Sequence, residues 1–256
     1  MMFIPVSEDA LGALSTPETN GAPQPTAAEP RRSVEVFVGE TPFSALSSGC
    51  LWQEDERLLV VADLHLEKAS SFARRGQLLP PYDTAATLAA LSALVFSLDP
   101  ATVIALGDSF HDNGGAGRLE RYDREALRAV QRGRDWIWIA GNHDDDLPPE
   151  LDGSRVDSVS MLGVTFRHEP SLDPDEPEIA GHLHPAARVY GSRGSVRRKC
   201  FVGDPIRLIL PAFGALTGGL NVMTPVFAPL FPAGFTTYVL GADAIYPVPR
   251  SRLGGR

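Results

Sequence analysis

Three short apolar segments, each ending in a polar group, constrain the fold of this chain more than any other feature of its sequence. They run from Arg57 to Asp63, from Thr102 to Asp108 and from Asp135 to Asn142. Short continuous apolar runs are typical of strands that are buried on both faces. Because ligands gather beyond the carboxyl ends of strands in open α/β sheets, we expect the polar ends of these segments to converge at one edge.

The segments around these strands predict the rest of the fold. Residues 83 to 96 carry an apolar face at helical spacing, and residues 118 to 132 form a charged amphipathic pattern, so both predict helices. The second half of the chain consists mostly of short apolar runs separated by glycine and proline, which predict strands. This order of elements indicates an α/β sandwich of two packed sheets.

Length and composition are those of one compact domain, in a chain of 256 residues that is 43% hydrophobic and 21% charged. Residues 1 to 33 are rich in proline, alanine, threonine and glutamate, and we predict a disordered or loosely attached tail there. We expect the domain to span residues 34 to 246 and a C-terminal tail to span residues 247 to 256. A strand at 34 to 38, or the C-terminal β segment, offers an edge through which a homo-oligomer could form.

The sequence also bears on location and on partners. No apolar run approaches the roughly 20 residues that a membrane-spanning helix requires, and the N-terminus does not have the pattern of a signal peptide, so we expect a cytoplasmic protein without membrane contact. Cys50 and Cys200 are too few for a disulfide framework, and we predict that both are buried and reduced. The net charge of −9 argues against nonspecific binding of long nucleic acid, although it is compatible with a local basic patch.

Side chains that bind metals cluster at the predicted strand ends and after them, and all six histidines lie in these motifs. The motifs are DLH at 63 to 65, GDSFHD at 107 to 112, GNHD at 141 to 144, a histidine at 168 and GHLH at 181 to 184. Side chains two positions apart on an extended segment face the same way, so Asp63 and His65 can both reach one ion, and the imidazoles of His182 and His184 share a face. The glycines at 107, 141 and 181 fit tight turns where the backbone approaches an ion or a substrate.

The series DLH, GDSFHD, GNHD and GHLH resembles the calcineurin-like metallophosphoesterase superfamily over roughly residues 57 to 185. Two further stretches, ADLHLEK at 62 to 68 and LPAFGALTGGLNV at 210 to 222, are similar to a bacterial branch, the ligase-associated DNA damage response endonucleases. The resemblance implies a four-layer α/β/β/α sandwich of two mixed sheets flanked by helices. It also implies hydrolysis of phosphoesters with two divalent metal ions, and association with a DNA ligase and helicase repair system.

The resemblance further implies two metal sites that share one carboxylate. It assigns Asp63, His65 and His184 to the first metal, Asn142, His168 and His182 to the second metal, and Asp108 to the bridge between them. Carboxylate, imidazole and amide ligands suit manganese, iron or zinc, and manganese is the first expectation. His143 is predicted to bind a phosphoryl oxygen or to protonate the leaving group. Asp144 either orients His143 or is an exposed carboxylate of the loop.

The role of His111 stays open, because it could touch the substrate, support a metal ligand or have a local structural role. Protein phosphatases of this superfamily carry a basic residue after the aspartate of the second motif. Here Asp112 is followed by Asn113 and two glycines. This departure argues against a protein Ser/Thr phosphatase.

The densest basic cluster of the chain lies between residues 188 and 199, directly after GHLH. Arg197 and Arg198 in this cluster either bind flanking phosphates of a nucleic acid or belong to a solvated hairpin face. Three further cations could add to that surface: Lys68, Arg74 and Arg75.

The function expected from these features is that of a two-metal phosphodiesterase, specifically a DNA endonuclease in repair with single-stranded DNA as a candidate substrate. The alternative is a phosphodiesterase for small cyclic or dinucleotide-like nucleotides, which the acidic net charge favours. A non-catalytic scaffold with this fold should lack several ligands. All of the expected ligands are present in this sequence.

Overall fold

The structure, a computed structural model, describes residues 32–143, 151–174, 176–191 and 194–255. The predicted N-terminal tail, apart from its last two residues, lies outside these ranges. Seven strands form the first sheet, side by side in sequence order. They are β1 (Ser33–Val38), β2 (Thr41–Leu46), β3 (Leu51–Gln53), β4 (Leu58–Val61), β5 (Thr102–Leu106), β6 (Asp135–Ile139) and β7 (Ser154–Val156).

The first three strand predictions are confirmed as β4, β5 and β6. These strands are neighbours and run parallel, with Val61 opposite Ala105 and Leu106 opposite Ile139. Their carboxyl ends therefore lie together at one edge of the sheet. Strands β1 to β4 pair antiparallel, so the sheet is mixed.

Four α-helices lie among the residues that the structure describes: α1 (Lys68–Arg74), α2 (Asp83–Leu98), α3 (Gly115–Arg118) and α4 (Arg121–Gln131). Both predicted helices are confirmed as α2 and α4. Apolar side chains of α2 pack on the outer face of the first sheet together with Leu59 and Val61 of β4. None of the described helices is long and apolar enough to cross a membrane.

The second sheet contains nine strands of the described chain. They are β8 (Ser158–Met161), β9 (Val164–Arg167), β10 (Glu178–Ala180), β11 (Pro185–Gly191), β12 (Gly194–Gly203), β13 (Arg207–Ile209), β14 (Leu220–Asn221), β15 (Thr236–Leu240) and β16 (Ile245–Val248). Strands β9, β10 and β13 are parallel neighbours, whereas β12 pairs antiparallel with β11, β13 and β15. Since Ala180 lies opposite Arg167, the residues that follow β9 and β10 emerge at the same edge.

The two sheets pack face to face around the main core. Leu58 and Val60 of β4 point into this core, while their neighbours on the strand point to the helices, so β4 is buried on both faces as predicted. Phe43 from the first sheet meets Phe166 from the second edge to face, with ring centroids 6.4 Å apart. The α/β fold of two mixed sheets is thus confirmed.

The outer face of the second sheet is covered by residues 222 to 235, which include a 3-10 helix at Pro225–Phe227. Phe227 and Phe231 are buried there against Cys200 and Val202 of β12. The layer outside this sheet is therefore built from turns and a short 3-10 helix. Cys50 and Cys200 are both buried and free, as predicted.

The C-terminal boundary predicted at residue 246 falls inside β16 and needs correction. Pro247 is accommodated because β16 pairs only with β15 in the described chain, so its missing N–H costs no ladder hydrogen bond. Beyond the strand, Leu253 is buried and bridges to Val189, and the Gly254 N–H donates to the Arg188 carbonyl at 2.8 Å. Residues 247 to 255 therefore belong to the fold rather than to a tail.

Candidate metal centre and active site

The polar residues that follow β4, β5 and β10 meet at the shared edge of the two sheets. Four of them place one ligand atom each within 4.8 Å of one another: Asp63, His65, Asp108 and His184. These residues are up to 121 positions apart in the chain, and the pairing of β4 with β5 and the packing of the second sheet on the first bring them together. The predicted convergence is therefore present for the polar ends of β4 and β5, and the loop after β6 joins them through the His143 N–H, which donates to Asp108 Oδ1.

Asp63, His65 and His184 form the first group of donors. The His184 Nε2 atom lies 3.3 Å from Asp63 Oδ1, and 3.1 Å from the Nε2 atom of His65. Burial lowers the pKa of His65 to about 2, helped by the nearby charge of His184 in its protonated form. His65 is therefore neutral at physiological pH, with a nitrogen lone pair free to bind a cation.

His168 and His182 form a second group beside the first. The Nδ1 atom of His168 lies 2.8 Å from the Leu106 carbonyl oxygen, and since a carbonyl only accepts, this nitrogen carries the proton. The lone pair of its Nε2 atom then faces His182 Nδ1 at 3.2 Å. Such a hydrogen bond to the backbone fixes the tautomer that a metal-binding histidine needs.

Asp108 stands between the two groups. Its Oδ2 atom lies 3.7 Å from His65 Nε2, and its Oδ1 atom lies 3.4 Å from His168 Nε2. The two oxygens of one carboxylate thus face different donor groups. This is the position expected of a ligand that bridges two ions.

The donor set fits divalent cations. Asp63 and Asp108 are 0% and 3% exposed, and among the described residues the side chains within ion-pair distance of them are imidazoles rather than lysine or arginine. Burying two carboxylates without a cationic partner is costly, and carboxylate with imidazole suits manganese, iron or zinc. The first ion would be held by Asp63, His65, Asp108 and His184, and the second by Asp108, His168 and His182. Asn142 lies on the neighbouring loop and is exposed, and its role as a ligand stays a prediction.

The backbone at this edge differs from the extended geometry expected for the DLH and GHLH motifs. Five of the predicted metal ligands adopt left-handed backbone conformations with φ between 43° and 67°: Asp63, His65, Asp108, His182 and His184. The prediction that each pair lies on extended backbone was therefore wrong, although each pair does reach the site. Left-handed conformations are costly for residues with a side chain, and they occur where the surroundings enforce them.

Hydrogen bonds enforce this backbone. The His182 N–H donates to both carboxylate oxygens of Asp63, at 3.1 Å each, and the His65 N–H donates to the Asp108 carbonyl at 2.9 Å. The turn that carries one ligand is thus fixed by another ligand of the same centre.

Two of the three predicted glycines are confirmed as points of close approach. A Cβ atom on Gly107, which has a φ of 71°, would lie 2.4 Å from the Nδ1 atom of His168. A Cβ atom on Gly181 would lie 2.9 Å from Asp63 Oδ2 and 3.1 Å from the Leu106 carbonyl oxygen. Both glycines leave the space in which the donor side chains lie.

Comparison with known proteins agrees with this centre. Residues 56–201 match the family model described as calcineurin-like phosphoesterase. The chain belongs to the calcineurin-like phosphoesterase family. It is accordingly a metal-dependent phosphoesterase, and the fold and the donor groups are those that this chemistry needs.

Solved structures were compared as well. The nuclease MPE from Pseudomonas putida, known from a crystal structure, is 30% identical in sequence to this chain, with a TM-score of 0.67. The alignment covers 84% of this chain and 100% of that one. Yfce, a phosphoesterase from E. coli, is a more distant likeness, 16% identical with a TM-score of 0.36, over 76% of this chain and 94% of that one. No curated protein sequence matches the chain.

His143 lies at the solvent side of the phosphoesterase centre. Its backbone N–H donates to Asp108 Oδ1 at 3.1 Å, which ties it to the bridging carboxylate. Its side chain is 50% exposed, with Nε2 at 3.9 Å from Asp108 Oδ2, so it can meet a substrate that approaches from solvent. Asp144, predicted to orient His143, lies outside the described residues.

His111 packs against two other rings of the site. It stacks on His143 with ring centroids 5.9 Å apart and an interplanar angle of 19°, and the Phe72 ring lies 5.6 Å away at an angle of 33°. Its Nδ1 atom is buried without a hydrogen-bond partner among the described residues. These contacts favour a positioning role for His111, which holds the imidazole of His143 by packing. No sequence pattern indicated Phe72, because the contact depends on how α1 lies across the site.

A cleft of about 560 Å³ opens beside His143. It is lined by residues from α1, from the loop after β5 and from the loop after β6: Ser71, Arg74, Arg75, Asp112, Asn113, Gly114, Asn142 and His143. Most of these residues are exposed, so the cleft is open to solvent.

The predicted basic cluster is divided by the alternation of β12. Arg197 donates a hydrogen bond to the Gly219 carbonyl near His184, whereas Arg198 lines a separate cleft of about 420 Å³ with Tyr246 and other residues. Neighbouring side chains on a strand point to opposite faces, so these two arginines do not form one surface. Arg198 therefore does not face the metal centre.

Lys199 has a structural role that the sequence did not reveal. Its ammonium group donates to the Ala212 and Gly214 carbonyls and to Thr217 Oγ1, at 2.7, 2.9 and 2.7 Å. Burial lowers its pKa to about 8. The segment that Lys199 contacts, residues 212 to 217, is also bonded to the turn that carries Asp63, since the Gly214 N–H donates to the Asp63 carbonyl at 3.2 Å. Part of the segment 210 to 222 thus packs beside the metal centre.

Replacing Gly107 with alanine is expected to weaken metal binding, because the new methyl group would displace the His168 imidazole. We expect manganese affinity to fall about 10- to 100-fold, the usual cost of disturbing a ligand's support. Isothermal titration calorimetry on the metal-free chain measures this change. Gly163→Ala is the matched control, because Gly163 has a similar φ of 69° but nothing within 4 Å of its Cβ position. Equal losses in both variants would contradict the explanation by close approach.

Replacing His111 with alanine is expected to lower kcat about tenfold or more by freeing the His143 ring, since small misplacements of a catalytic group are costly. His111→Phe keeps a flat ring against Phe72 and His143 and is expected to retain most of the activity with an unchanged pH profile. Steady-state kinetics on a small phosphodiester checks both variants. If the phenylalanine variant were as slow as the alanine variant, His111 would act through its nitrogens.

Proposed function

We propose that this protein is a phosphodiesterase that cleaves DNA internally, and that this activity serves DNA repair. The observation that carries the proposal is the open cleft beside His143, because a polymer can lie along it without threading an end into a closed pocket. The likeness to the Pseudomonas putida nuclease, which extends over the whole of that chain, supports the same substrate class.

The roles of the residues follow from their places. The donor groups described above would hold two divalent ions, for which manganese is the first choice. When bound, such ions would lower the pKa of a water and neutralise charge on the phosphoryl oxygens. His143, half exposed and tied to Asp108 through its backbone, donates a proton or hydrogen bond to the phosphate or to the leaving oxygen.

The rival function within the same chemistry is hydrolysis of small nucleotides. The net charge of −9 favours it, because long nucleic acids are repelled by an acidic surface. A repair role would also bring the protein together with a DNA ligase and a helicase, and this association is part of the proposal.

With manganese present, the enzyme is expected to cut a circular single-stranded DNA as well as linear oligonucleotides. A circle has no ends, so its linearisation on a denaturing gel reports internal cleavage. We expect kcat/KM for the oligonucleotide to exceed that for cyclic nucleotides and for a phosphomonoester by about a hundredfold, or roughly 2.7 kcal/mol in transition-state binding.

His143→Ala provides the control for contaminating nucleases, and it should lose about a hundredfold or more of the rate. Rapid hydrolysis of cyclic or dinucleotide-like substrates, with the circle left intact, would instead establish the rival function.

A further inference from the structure

Arg74 and Arg75 share one cleft with the active-site histidine. Arg74 is the last residue of α1 and Arg75 follows it as the C-cap. Both side chains are exposed, and both line the cleft of about 560 Å³ that also contains Asn142 and His143. A ligand that occupies this cleft therefore meets the two guanidinium groups and His143 together.

The electrostatics of the cleft leave these two cations uncompensated. Asp112, the carboxylate among the described lining residues, is already engaged: it accepts from Arg118 Nη1 at 2.7 Å and from the Gly114 N–H at 3.0 Å. Burial acts to raise the pKa of Asp112, but the hydrogen bonds from Arg118, Ser71 and the Gly114 N–H, together with the charge of Arg118, outweigh it and the pKa falls to about 2. Neither Arg74 nor Arg75 forms an ion pair with any residue that the structure describes. Among the described residues, the lining of the cleft consequently carries excess positive charge, in a chain of net charge −9.

A role limited to the helix does not account for this arrangement. Cations at a helix C-terminus are favoured by the helix dipole, which explains a basic residue at the end of α1. It does not require two adjacent guanidinium groups in the wall of the cleft that reaches His143. In the described part of the cluster at 188 to 199, Arg197 is hydrogen-bonded to Gly219 and Arg198 lies in another cleft.

We propose that Arg74 and Arg75 bind a phosphate of the substrate strand that neighbours the scissile phosphodiester. The inference rests on the proposed nuclease function. Guanidinium forks match phosphate oxygens in pairs, and they remain charged at any physiological pH. The substrate class that this site selects is a polynucleotide with at least one phosphate beside the bond that is cut. A dinucleoside monophosphate has only the scissile phosphate and does not engage the pair.

The test compares Arg74→Gln/Arg75→Gln with the wild-type chain on two substrates, a single-stranded oligonucleotide and a dinucleoside monophosphate. For the variant we expect KM on the oligonucleotide to rise about tenfold or more, while kcat/KM on the dinucleoside monophosphate stays unchanged. The slope of log KM against log salt should also flatten by about 0.7 for each phosphate that the variant no longer neutralises. Arg121→Gln/Arg132→Gln is the matched control, because it removes two exposed arginines of α4 and its end, outside the cleft.

The outcomes separate this inference from the proposed function. If the wild-type chain cleaves the oligonucleotide and the Arg74→Gln/Arg75→Gln variant cleaves it equally well, the phosphate site is disproved while the nuclease function stands. Equal losses on both substrates would also overturn the inference, because they would indicate damage to the metal centre. A wild-type chain that cleaves no oligonucleotide would disprove both proposals.

Discussion

The structure depends on one electrostatic constraint, the burial of Asp63 and Asp108 at the edge where the two sheets meet. Both carboxylates are almost fully removed from water, and an isolated buried charge is among the most costly features that a fold can contain. Backbone N–H groups of His143 and His182 compensate part of this cost. Bound cations would compensate the rest of this cost, and imidazole nitrogens lie near the same carboxylates.

The rest of the edge is organised around that constraint. Gly107 and Gly181 lack side chains, so His168 and Asp63 can occupy the space above them. The left-handed turns cost free energy in the chain, and they persist because hydrogen bonds between the ligand segments fix them. Lys199 stabilises the site indirectly, since its ammonium group donates to the Ala212 and Gly214 carbonyls of the segment that bonds to the Asp63 turn. Such a centre is rigid before any substrate arrives, which is what electrostatic catalysis of phosphoryl transfer requires.

Much of this arrangement was accessible from the sequence. Strands β4, β5 and β6 were predictable because continuous apolar runs have few alternatives to a buried strand, and the polar residues at their ends indicated the site. The placement of the histidine motifs near this edge was predictable because the motifs follow predicted strands. In contrast, the left-handed turns at Asp63 and His182 were not, because local alternation suggests extended backbone there. The packing of His111 on Phe72 and the separation of Arg198 from Arg197 depend on contacts between distant elements, which periodicity does not encode. The end of the fold was also misjudged, because the contacts of Leu253 and Gly254 with β11 join segments that are distant in the sequence.

The central claim is that the donors at this edge hold two metal ions that share Asp108. The most direct measurement is the stoichiometry of manganese binding to the metal-free chain by isothermal titration calorimetry, compared with the Asp108→Asn variant. The account predicts two ions per wild-type chain and a loss of the second ion, or of both, in the variant. Binding of a single ion by the wild-type chain, or of two ions with unchanged affinity by the variant, would contradict it.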